Sequence, residues 1–585
     1  MNGPQKKKEF STEMRILLAS VLSMLVIILW AKFFAPKLPV NPQPPGAQAP
    51  VTNAPATNPS VTTPGAAAAA STARASAAPA TPPKGDTQER TIIVENDLCR
   101  VEFSNRGAVV KSWQLKKYMD DAKPPRILDL VHADSAQQTG GWPFSLVLND
   151  PRDETAVNSA LFQAVPSEAQ LKAPQELRFE WSDGHLHVTK RFRFEHSYVA
   201  NVGAEVSYDG QPVAFGIAWR GGFGDITVKD PVYYDQVQIF YSLGGKLQIL
   251  PHKKLNPPEQ TAPGTWMTGD DYVGIEDRYF AAAFLPETGA PPASLAVRYW
   301  KRERTIQADG KPVQEPVAEV AVNSATAGSF AARLYVGPKD YDDLKKMNPP
   351  LHDLVQFGWF EFIASPLFHL LKWLHGYIPN WGWAIIVLTI AINMLLFPMR
   401  ISSYRTALKM QKIQPEMKVL QDRMKKYKMN DPKKMEAQKE LQALFKREGI
   451  NPAGGCLPML LQFPIWIGLN SALRGAIELR HAPWIFWIKD LSANDPYRIL
   501  PIAMGLSMYF ASKMTPMTTT DPQQQAMMKI MPIAMAGIFV ISPFSSGLAL
   551  YILTSSVVGV AQQWWLNKTH PLPAPAPGKI ARGKK

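Results

Sequence analysis

The sequence predicts a polytopic α-helical membrane protein with six transmembrane helices and an extracytoplasmic all-β sandwich domain. Apolar stretches long enough to cross a bilayer occur near the N-terminus and in the C-terminal third of the 585-residue chain. The long segment between them alternates apolar and polar side chains with the period of a β-strand. The net charge of +14 accompanies only 19% charged residues, which is typical of a membrane protein whose Lys and Arg collect in loops on one side.

Composition and motifs argue against several other classes of protein. In a nucleic-acid-binding globule, Lys and Arg would dominate a polar surface, so we expect no DNA partner. The two cysteines, Cys99 and Cys456, are too few for a disulfide scaffold or a cysteine metal site. The sequence contains no Walker loop, HExxH or GxSxG motif. We therefore expect no enzyme activity, no cofactor and no metal.

The N-terminal region is predicted to be a membrane anchor followed by a tether. Residues 1–15 form a cytoplasmic N-terminus that contains the basic stretch 6–8. Residues 16–34 are predominantly apolar, and at ~1.5 Å per residue they span a hydrocarbon core of ~30 Å. We interpret them as an uncleaved signal anchor, with a cleaved signal peptide as the alternative. Residues 35–85 are rich in Pro, Ala, Thr and Ser, which predicts a disordered linker.

Residues 86–345 are predicted to form the extracytoplasmic β domain. The pattern is clearest in LHVTKRFRFE, where four apolar side chains fall on one face of a strand: Leu186, Val188, Phe192 and Phe194. The Asp-Gly pair at 183–184 just before this strand is a hairpin turn signal. Similar short runs recur between Gly and Pro residues, which favours a sandwich.

After residue 350, the lengths of the apolar stretches indicate which segments cross the membrane. Residues 351–377 mix apolar and aromatic residues with charges, which favours an interfacial amphipathic helix anchored by Trp359 and Trp373, a buried globular helix being the alternative. The stretch 526–565 is too long for one crossing, and PFSSG divides it. The predicted segments are transmembrane helices at 381–399, 456–474, 498–514, 526–543 and 547–566, a cytoplasmic helical hairpin at 400–455, an extracytoplasmic loop at 475–497, a cytoplasmic loop at 515–525 and a basic cytoplasmic tail at 567–585.

Loop charge orients these segments. The hairpin at 400–455 has fourteen Lys or Arg against six Asp or Glu, which places it in the cytoplasm. Six spans also place the basic tail there, whereas five would place it outside. Met410, Met417 and Met424 recur at heptad spacing in the hairpin. Because methionine surfaces adapt to varied apolar partners, we expect these residues to contact incoming chains or targeting factors.

Polar residues inside the predicted spans define the candidate functional site. A charge at mid-helix costs ~2.5–3.5 kcal/mol on the insertion scale unless it faces protein or water. Three helices carry polar side chains along one face, which predicts a hydrophilic pocket open to the cytoplasm; the alternative is that these residues only bridge neighbouring helices. The candidates are Thr389, Asn393, Arg400 and Arg405 in the first helix, Gln462 and Asn470 in the second, and Tyr551, Ser555 and Gln562 in the last.

Four stretches of the sequence resemble motifs of a known family and occur in the same order as in that family. They are LYVGPKDYDDL at 334–344, GCLPMLLQFPIWIGL at 455–469, ELRHAPWIFWIKDLSANDPYRILPIAMG at 478–505 and SSGLALYILTSSVVGVAQQ at 545–563. They are similar to the YidC/Oxa/Alb membrane protein insertase family, in the long form with a large periplasmic domain. The resemblance implies five helices forming an insertase core, and a periplasmic domain similar to a sugar-mutarotase β-supersandwich. It also implies a multi-pass protein of the bacterial inner membrane.

The resemblance further implies a mechanism. A wet, positively charged groove would receive the hydrophilic parts of a nascent integral membrane protein while its apolar segments move into the lipid bilayer. Such a protein acts alone or with the Sec translocon. We expect ribosome contact through the hairpin and the basic tail, whose charge attracts ribosomal RNA; a tail that only sets topology is the alternative. The family usually carries a basic residue at mid-helix, where this chain has Asn393. We expect Arg400, with Arg405 nearer water, to supply the charge instead; anchoring of Arg400 at lipid headgroups is the alternative.

Two other function classes remain as alternatives. A small-molecule transporter would show inverted repeats or broken helices with ion ligands, and the sequence shows neither internal symmetry nor acidic residues in the spans. A membrane-tethered carbohydrate-active β domain would need a carboxylate or histidine constellation. Acidic runs in loops and histidines on the polar face of a strand are usually solvated. The candidates for such a constellation are Asp270, Asp271, Glu276 and Asp277, together with His185 and His187.

Overall fold

The computed structural model describes residues 82–227, 237–251, 254–257, 266–269, 271–289, 295–308, 311–324, 326–427, 431–450, 457–515, 530–531, 534, 537–541 and 544–570. Several predicted features lie outside these residues. They are the signal anchor, nearly all of the linker, Cys456, nearly all of the cytoplasmic loop, most of the span at 526–543 and most of the basic tail.

Twenty strands form the β domain in the described residues. They are β1 (Thr91–Glu95), β2 (Cys99–Ser104), β3 (Val109–Met119), β4 (Ile127–Asp129), β5 (Ser145–Leu148), β6 (Gln163–Val165), β7 (Gln170–Lys172), β8 (Gln175–Ser182), β9 (Leu186–Phe194), β10 (Val199–Tyr208), β11 (Gln211–Pro212), β12 (Phe215–Trp219), β13 (Gln238–Leu243), β14 (Lys246–Pro251), β15 (Met267–Gly269), β16 (Val273–Glu276), β17 (Phe280–Pro286), β18 (Leu295–Ala308), β19 (Lys311–Ser324) and β20 (Ser329–Pro338).

These strands build three sheets around one core. A five-stranded sheet has the order β4-β3-β2-β1-β7, and a ten-stranded sheet has the order β14-β13-β16-β17-β20-β10-β9-β8-β6, with β11 beside β10. A second five-stranded sheet has the order β15-β18-β19-β12-β5. Side chains of all three sheets share one hydrophobic core, as Phe103, Phe192 and Val320 show. The domain is therefore β-rich as predicted, with three sheets rather than a simple pair.

The predicted alternation in β9 is observed, and it buries one residue that the pattern did not favour. Leu186, Val188, Phe192 and Phe194 are all buried, and Gly184 in the preceding turn has φ of 106°, which glycine adopts at no steric cost. Lys190 lies on the same face and is fully buried. The face of a strand is set by its period, so the lysine follows its apolar neighbours into the core.

Two residues of the predicted acidic cluster, Glu276 and Asp277, have a structural role rather than a solvated one, and Asp270 lies outside the described residues. Glu276 ends β16, is buried, and accepts a hydrogen bond from Lys339 Nζ at 3.1 Å. The Asp277 carboxylate accepts from the backbone N–H groups of Asp225, Tyr279 and Phe280 at 2.6–3.0 Å. Burial raises the pKa of both carboxyls, and these partners oppose that rise. The expectation of solvated loop acids is wrong for this pair, because Glu276 is paired with Lys339 and Asp277 holds the backbone of a tight connection.

The helices follow in chain order. They are α1 (Ala133–Thr139), α2 (Pro151–Ser159), α3 (Tyr341–Lys345), α4 (Glu361–Tyr377), α5 (Trp381–Lys412), α6 (Gln414–Lys425), α7 (Pro432–Arg447), α8 (Leu457–Gly475), α9 (Ile499–Met514) and α10 (Ser546–Thr569), with 3-10 turns at His352–Leu354, Gly358–Phe360 and Ile477–Leu479. The short helices α1 and α2 interrupt the β domain and were not expected from its alternating pattern.

Two helix boundaries differ from the prediction. The helix expected at 351–377 begins only at Glu361, after two 3-10 turns, and its Trp373 is exposed. The helix expected at 381–399 does not end at Pro398 but continues to Lys412. A proline removes one backbone donor and crowds the preceding turn, but packing against neighbouring helices allows the helix to continue.

Apolar length identifies one membrane-spanning helix among the described residues. The helix α5 is long and apolar enough to cross a bilayer, and α9 is apolar but has only 16 residues. The structure thus combines a β-rich domain with a helical C-terminal region, and the count of six spans stays a prediction.

In the described residues between α5 and α8, the helices α6 and α7 pack together as a helical hairpin. Their small core consists of Ile413, Leu444 and Ile450, with Met410 packed against it. Met417 is buried in the hairpin, whereas Met410 and Met424 are half-buried. The heptad spacing of these methionines therefore reflects packing inside the hairpin as well as any contact with a partner.

Candidate functional site

The helix α10 lies at the centre of the C-terminal helical region. This helix packs against both α5 and α9, while α8 packs against α4 and α5. Side-chain caps set where two of these helices begin: Asn380 accepts from Trp383 N–H at 3.2 Å, and Ser545 accepts from Leu548 N–H at 3.4 Å. Since the helix start sets which face each later residue occupies, these caps help to place the polar faces of α5 and α10 opposite each other.

A chain of hydrogen bonds joins α5 to α10. Arg400 Nη1 donates to Gln562 Oε1 at 2.9 Å, and Gln562 Nε2 donates to the carbonyl oxygen of Asn393 at 3.1 Å. Asn393 Nδ2 donates to Ser555 Oγ at 3.3 Å and to the carbonyl oxygen of Thr389 at 2.8 Å. Five of the nine candidate groove residues therefore belong to one contiguous set, which we call the groove network: Thr389, Asn393, Arg400, Ser555 and Gln562.

The two ends of the groove network differ in exposure. Thr389 and Asn393 are 0% and 1% exposed, and Thr389 Oγ1 donates to the carbonyl oxygen of Ile385 at 2.6 Å. In this conformation Asn393 bridges α5 and α10 through Ser555, the alternative considered for such residues, whereas the side chain of Thr389 bonds within α5. Arg400 is half-buried and carries the one charge in the network. The sequences of α5, α8 and α10 contain no Asp or Glu, so no carboxylate of these helices neutralises that charge.

A cavity of about 280 Å³ lies beside the groove network. It is lined by Gln462, Phe463, Trp466, Tyr551, Ile552, Ser555 and Ser556. Gln462 Nε2 donates to the hydroxyl oxygen of Tyr551 at 3.2 Å, which ties α8 to α10 across the cavity. The cavity thus presents amide and hydroxyl groups next to aromatic rings and an aliphatic side chain, so it can receive a segment that is partly polar and partly apolar.

The remaining predicted site residues lie elsewhere. Arg405 is exposed on the C-terminal half of α5, farther along the helix than Arg400. Asn470 does not line the cavity, and its buried Oδ1 has no hydrogen-bond partner in the described part of the chain. Helical spacing grouped Asn470 with Gln462, but the tertiary structure does not bring the two into one site.

Two residues of the site were missed from sequence. Gly559 leaves room for the guanidinium of Arg400, because a Cβ at this position would lie 2.9 Å from Arg400 Nη1. The signal in the sequence was a glycine in mid-helix, which weakens a helix unless close packing requires it. Tyr404 was also missed; its hydroxyl donates to Asn567 Oδ1 at 2.9 Å and joins α5 to the end of α10.

The fold and site define a class: a protein with an apolar helix long enough to cross a bilayer, a polar site between helices and a β-rich domain. Comparison with known proteins then assigns the family. The family model of the 60Kd inner membrane protein matches residues 373–573, and that of the YidC periplasmic domain matches residues 91–370. The membrane protein insertase YidC of Cupriavidus taiwanensis is 31% identical over 82% of each chain, and that of Aromatoleum aromaticum is 32% identical over 82% of this chain and 84% of its own. The chain belongs to the YidC family of membrane protein insertases.

Among solved structures, an active YidC insertase with its first transmembrane domain resolved aligns with 82% of this chain and 93% of its own. Its sequence identity is 18% and its TM-score is 0.33. The family assignment rests on the sequence relatives and family models, which cover both the β-rich domain and the helical region.

Proposed function

We propose that this chain inserts integral membrane proteins into the bilayer and helps them fold, with the groove network and adjacent cavity as the site that receives them. The observation that carries this proposal is the half-buried Arg400, held by Gln562 between helices that contain no acidic residue. A positive, hydrogen-bonding surface of this kind suits the polar or acidic segment of a nascent membrane protein. Membership of the YidC family supports the same function.

The mechanism follows from the cost of moving polar groups into lipid. An unsatisfied backbone or side-chain polar group costs several kcal/mol in hydrocarbon. The amide of Gln462 and the hydroxyls of Ser555 and Ser556 offer hydrogen bonds at the cavity, which lowers that cost for a polar segment. Arg stays protonated when partly desolvated, and its field reaches further at low dielectric than in water. The apolar part of the substrate then enters lipid directly, without a covalent intermediate, a nucleotide or a cofactor.

The proposal includes an arrangement in the membrane. Six transmembrane helices cross the bacterial inner membrane, five of them form the insertase core, and the β domain lies in the periplasm. The hairpin α6–α7 and the basic tail face the cytoplasm, because both contain an excess of Lys and Arg and such segments are retained on the cytoplasmic side. The surface-exposed side chains of Val419 and Met435 on the hairpin suit contact with apolar segments.

Partners follow from the same arrangement. The basic residues of the tail attract ribosomal RNA electrostatically, and the chain works alone or beside the Sec translocon. Removal of residues 568–585 should reduce ribosome association at low salt. If association is unchanged, the tail acts only as a topology signal and the ribosome contact has to be sought in the hairpin.

The test of function is depletion of this protein in its own cells, followed by scoring of the membrane insertion of small proteins with one or two spans. We expect these substrates to accumulate uninserted on depletion and to recover when the full chain is supplied from a second copy. A soluble secreted protein, scored in the same cells, controls for general loss of membrane function. Normal insertion of every small substrate after full depletion would contradict the proposal.

A further inference from the structure

Three metal-ligand side chains converge where the β domain meets the loop between α8 and α9. Asp121 comes from the connection between β3 and β4, and His481 and Asp490 come from the loop. His481 Nε2 lies 2.6 Å from Asp121 Oδ1 and 3.9 Å from Asp490 Oδ2. One ligand atom from each residue lies within 4.8 Å of the other two. All three side chains are half-buried, so an ion could reach them from solvent.

We propose that Asp121, His481 and Asp490 bind one divalent transition-metal ion, and that zinc is the ion that fits best. Calcium and magnesium favour oxygen ligands only, whereas zinc takes imidazole nitrogen and carboxylate oxygen together at roughly 2.0–2.2 Å. Ligand atoms of a tetrahedral zinc are then roughly 3.3–3.5 Å apart. The observed separations of 2.6 Å and 3.9 Å lie on either side of that range, so small side-chain movements complete the site. Water supplies the fourth ligand.

Hydrogen bonds already orient one of the carboxylates toward the proposed ion. Asp490 Oδ1 accepts from Ser492 N–H and from Ser492 Oγ, both at 2.7 Å. These bonds hold the carboxylate through one oxygen and leave Oδ2 as the atom that faces His481. Outer contacts of this kind orient ligands in metal sites. The loop that carries Asp121 is positioned by its backbone N–H, which donates to Thr227 Oγ1 at 2.7 Å.

The electrostatics favour a cation at this point. Two carboxylates face one imidazole nitrogen, and a cation bound between the two carboxylates would offset their mutual repulsion. The same junction contains the buried ion pair between Arg480 and Asp225, at 2.5 Å. That pair already joins the loop to the β domain, so a bound metal would strengthen an existing contact. The predicted consequence is a zinc-dependent increase in the stability of this junction.

The direct test measures bound metal on the full-length chain, purified in detergent without a histidine tag and stripped with a chelator. Zinc is added, excess is removed by gel filtration, and bound zinc is measured by mass spectrometry. The variants His481→Asn and Asp490→Asn remove ligands; Asp490→Asn keeps an oxygen that can accept from Ser492. The control is His185→Asn, because His185 Nδ1 lies 2.7 Å from Asp209 Oδ1 with similar exposure but belongs to no three-residue ligand group in the described residues.

We expect the wild type and His185→Asn to bind one equivalent of zinc more than His481→Asn and Asp490→Asn. Zinc should also raise the Tm of the first two proteins and leave that of the others unchanged. If His481→Asn fails to fold, the comparison of Asp490→Asn with the wild type decides the question. Equal zinc binding by the wild type and Asp490→Asn overturns the proposal, as does zinc bound by none of the proteins.

Discussion

Arg400 is the residue on which the proposed function depends most directly. Its guanidinium reaches across to α10, where Gln562 accepts a hydrogen bond and Gly559 leaves space for it. A headgroup anchor would point toward lipid and water, whereas this side chain is half-buried against a neighbouring helix. The contact with Gln562 therefore favours the groove interpretation over the anchor interpretation.

Substitution of Arg400 tests that interpretation. Arg400→Ala should lower the rate of substrate insertion at least tenfold, because losing a hydrogen bond between the charged guanidinium and the substrate costs about 1.5–3 kcal/mol. Arg400→Lys should keep most activity. Asn393→Arg should restore activity to Arg400→Ala, because Asn393 is hydrogen-bonded to Ser555, which lines the cavity. The measurement is insertion of a single-span protein, with exposed Arg405→Ala as the control of near-normal activity. Normal insertion by Arg400→Ala would contradict the groove role.

Gly559 offers a test that keeps the charge. Gly559→Leu should displace the Arg400 guanidinium, because even a Cβ at this position lies 2.9 Å from Nη1. We expect insertion to fall severalfold while the protein still reaches the membrane. The matched control is Gly376→Leu, since a side chain at residue 376 meets open space. Equal insertion by the two variants would show that the position of the guanidinium is unimportant.

At the scale of the element, β9 buries a lysine in the middle of an apolar face. Lys190 Nζ donates to the backbone carbonyls of Gly107, Phe144 and Ala108 at 2.6, 2.7 and 3.2 Å. Those carbonyls belong to connections next to β3 and β5, so the lysine holds two other sheets against its own. Burial lowers the pKa of Lys190 to about 7.

This lowered pKa predicts a pH dependence of stability. Between about pH 7 and the usual lysine value near 10.4, the unfolded chain binds more protons than the folded chain, so stability rises with pH. The contribution of one such group is at most about 1.4 kcal/mol per pH unit. The free energy of unfolding of the full chain, measured in detergent, should therefore rise less between pH 7 and 9 in Lys190→Met than in the wild type. Parallel curves for the two proteins would contradict the assignment.

A buried ion pair between Arg480 and Asp225 joins the loop between α8 and α9 to the β domain. Arg480 Nη2 and Asp225 Oδ2 lie 2.5 Å apart, with side chains only 3% and 2% exposed. Removing one partner of such a pair leaves an uncompensated charge in the interior. Arg480→Ala should lower the free energy of unfolding by about 3–5 kcal/mol.

The control for this prediction is Arg423→Ala in the hairpin formed by α6 and α7. Arg423 Nη1 lies 3.0 Å from Glu440 Oε2, and both side chains are about half exposed. An exposed pair contributes only about 0–1 kcal/mol, so denaturant unfolding of this variant should nearly match the wild type. Similar destabilisation by the two substitutions would show that burial at the junction does not matter.

At the scale of the whole molecule, charge asymmetry predicts how the chain is arranged in the membrane. Reporter fusions at Gln442, Ser492 and Lys584 should report cytoplasm, periplasm and cytoplasm in that order. The physical reason is the excess of Lys and Arg in the hairpin and tail, compared with the loop around Ser492. A periplasmic signal at Lys584 would exclude six spans, and a cytoplasmic signal at Ser492 would place the zinc site on the wrong side of the membrane.

Local patterns predicted most kinds of element, although not the short helices α1 and α2 inside the β domain. Period-two alternation predicted strands such as β9, and a nineteen-residue apolar length predicted the start of α5, because both depend on which neighbours in sequence share a face. The polar residues inside α5 and α10 were also found from sequence, because a polar side chain in the bilayer interior costs free energy and is therefore uncommon in an apolar helix. The protein family was therefore predictable before the structure, and so were the polar residues that form the candidate site.

The tertiary structure decided which of those residues act together. Thr389 and Asn393 are closed off between helices, Asn470 lies away from the cavity, and α5 continues past Pro398 because α10 packs along it. The partners of Lys190 and the meeting of Asp121 with His481 involve residues 46 to 360 positions apart in sequence. Periodicity describes one element at a time, whereas these contacts depend on how separate elements pack, and that is why only the three-dimensional structure could show them.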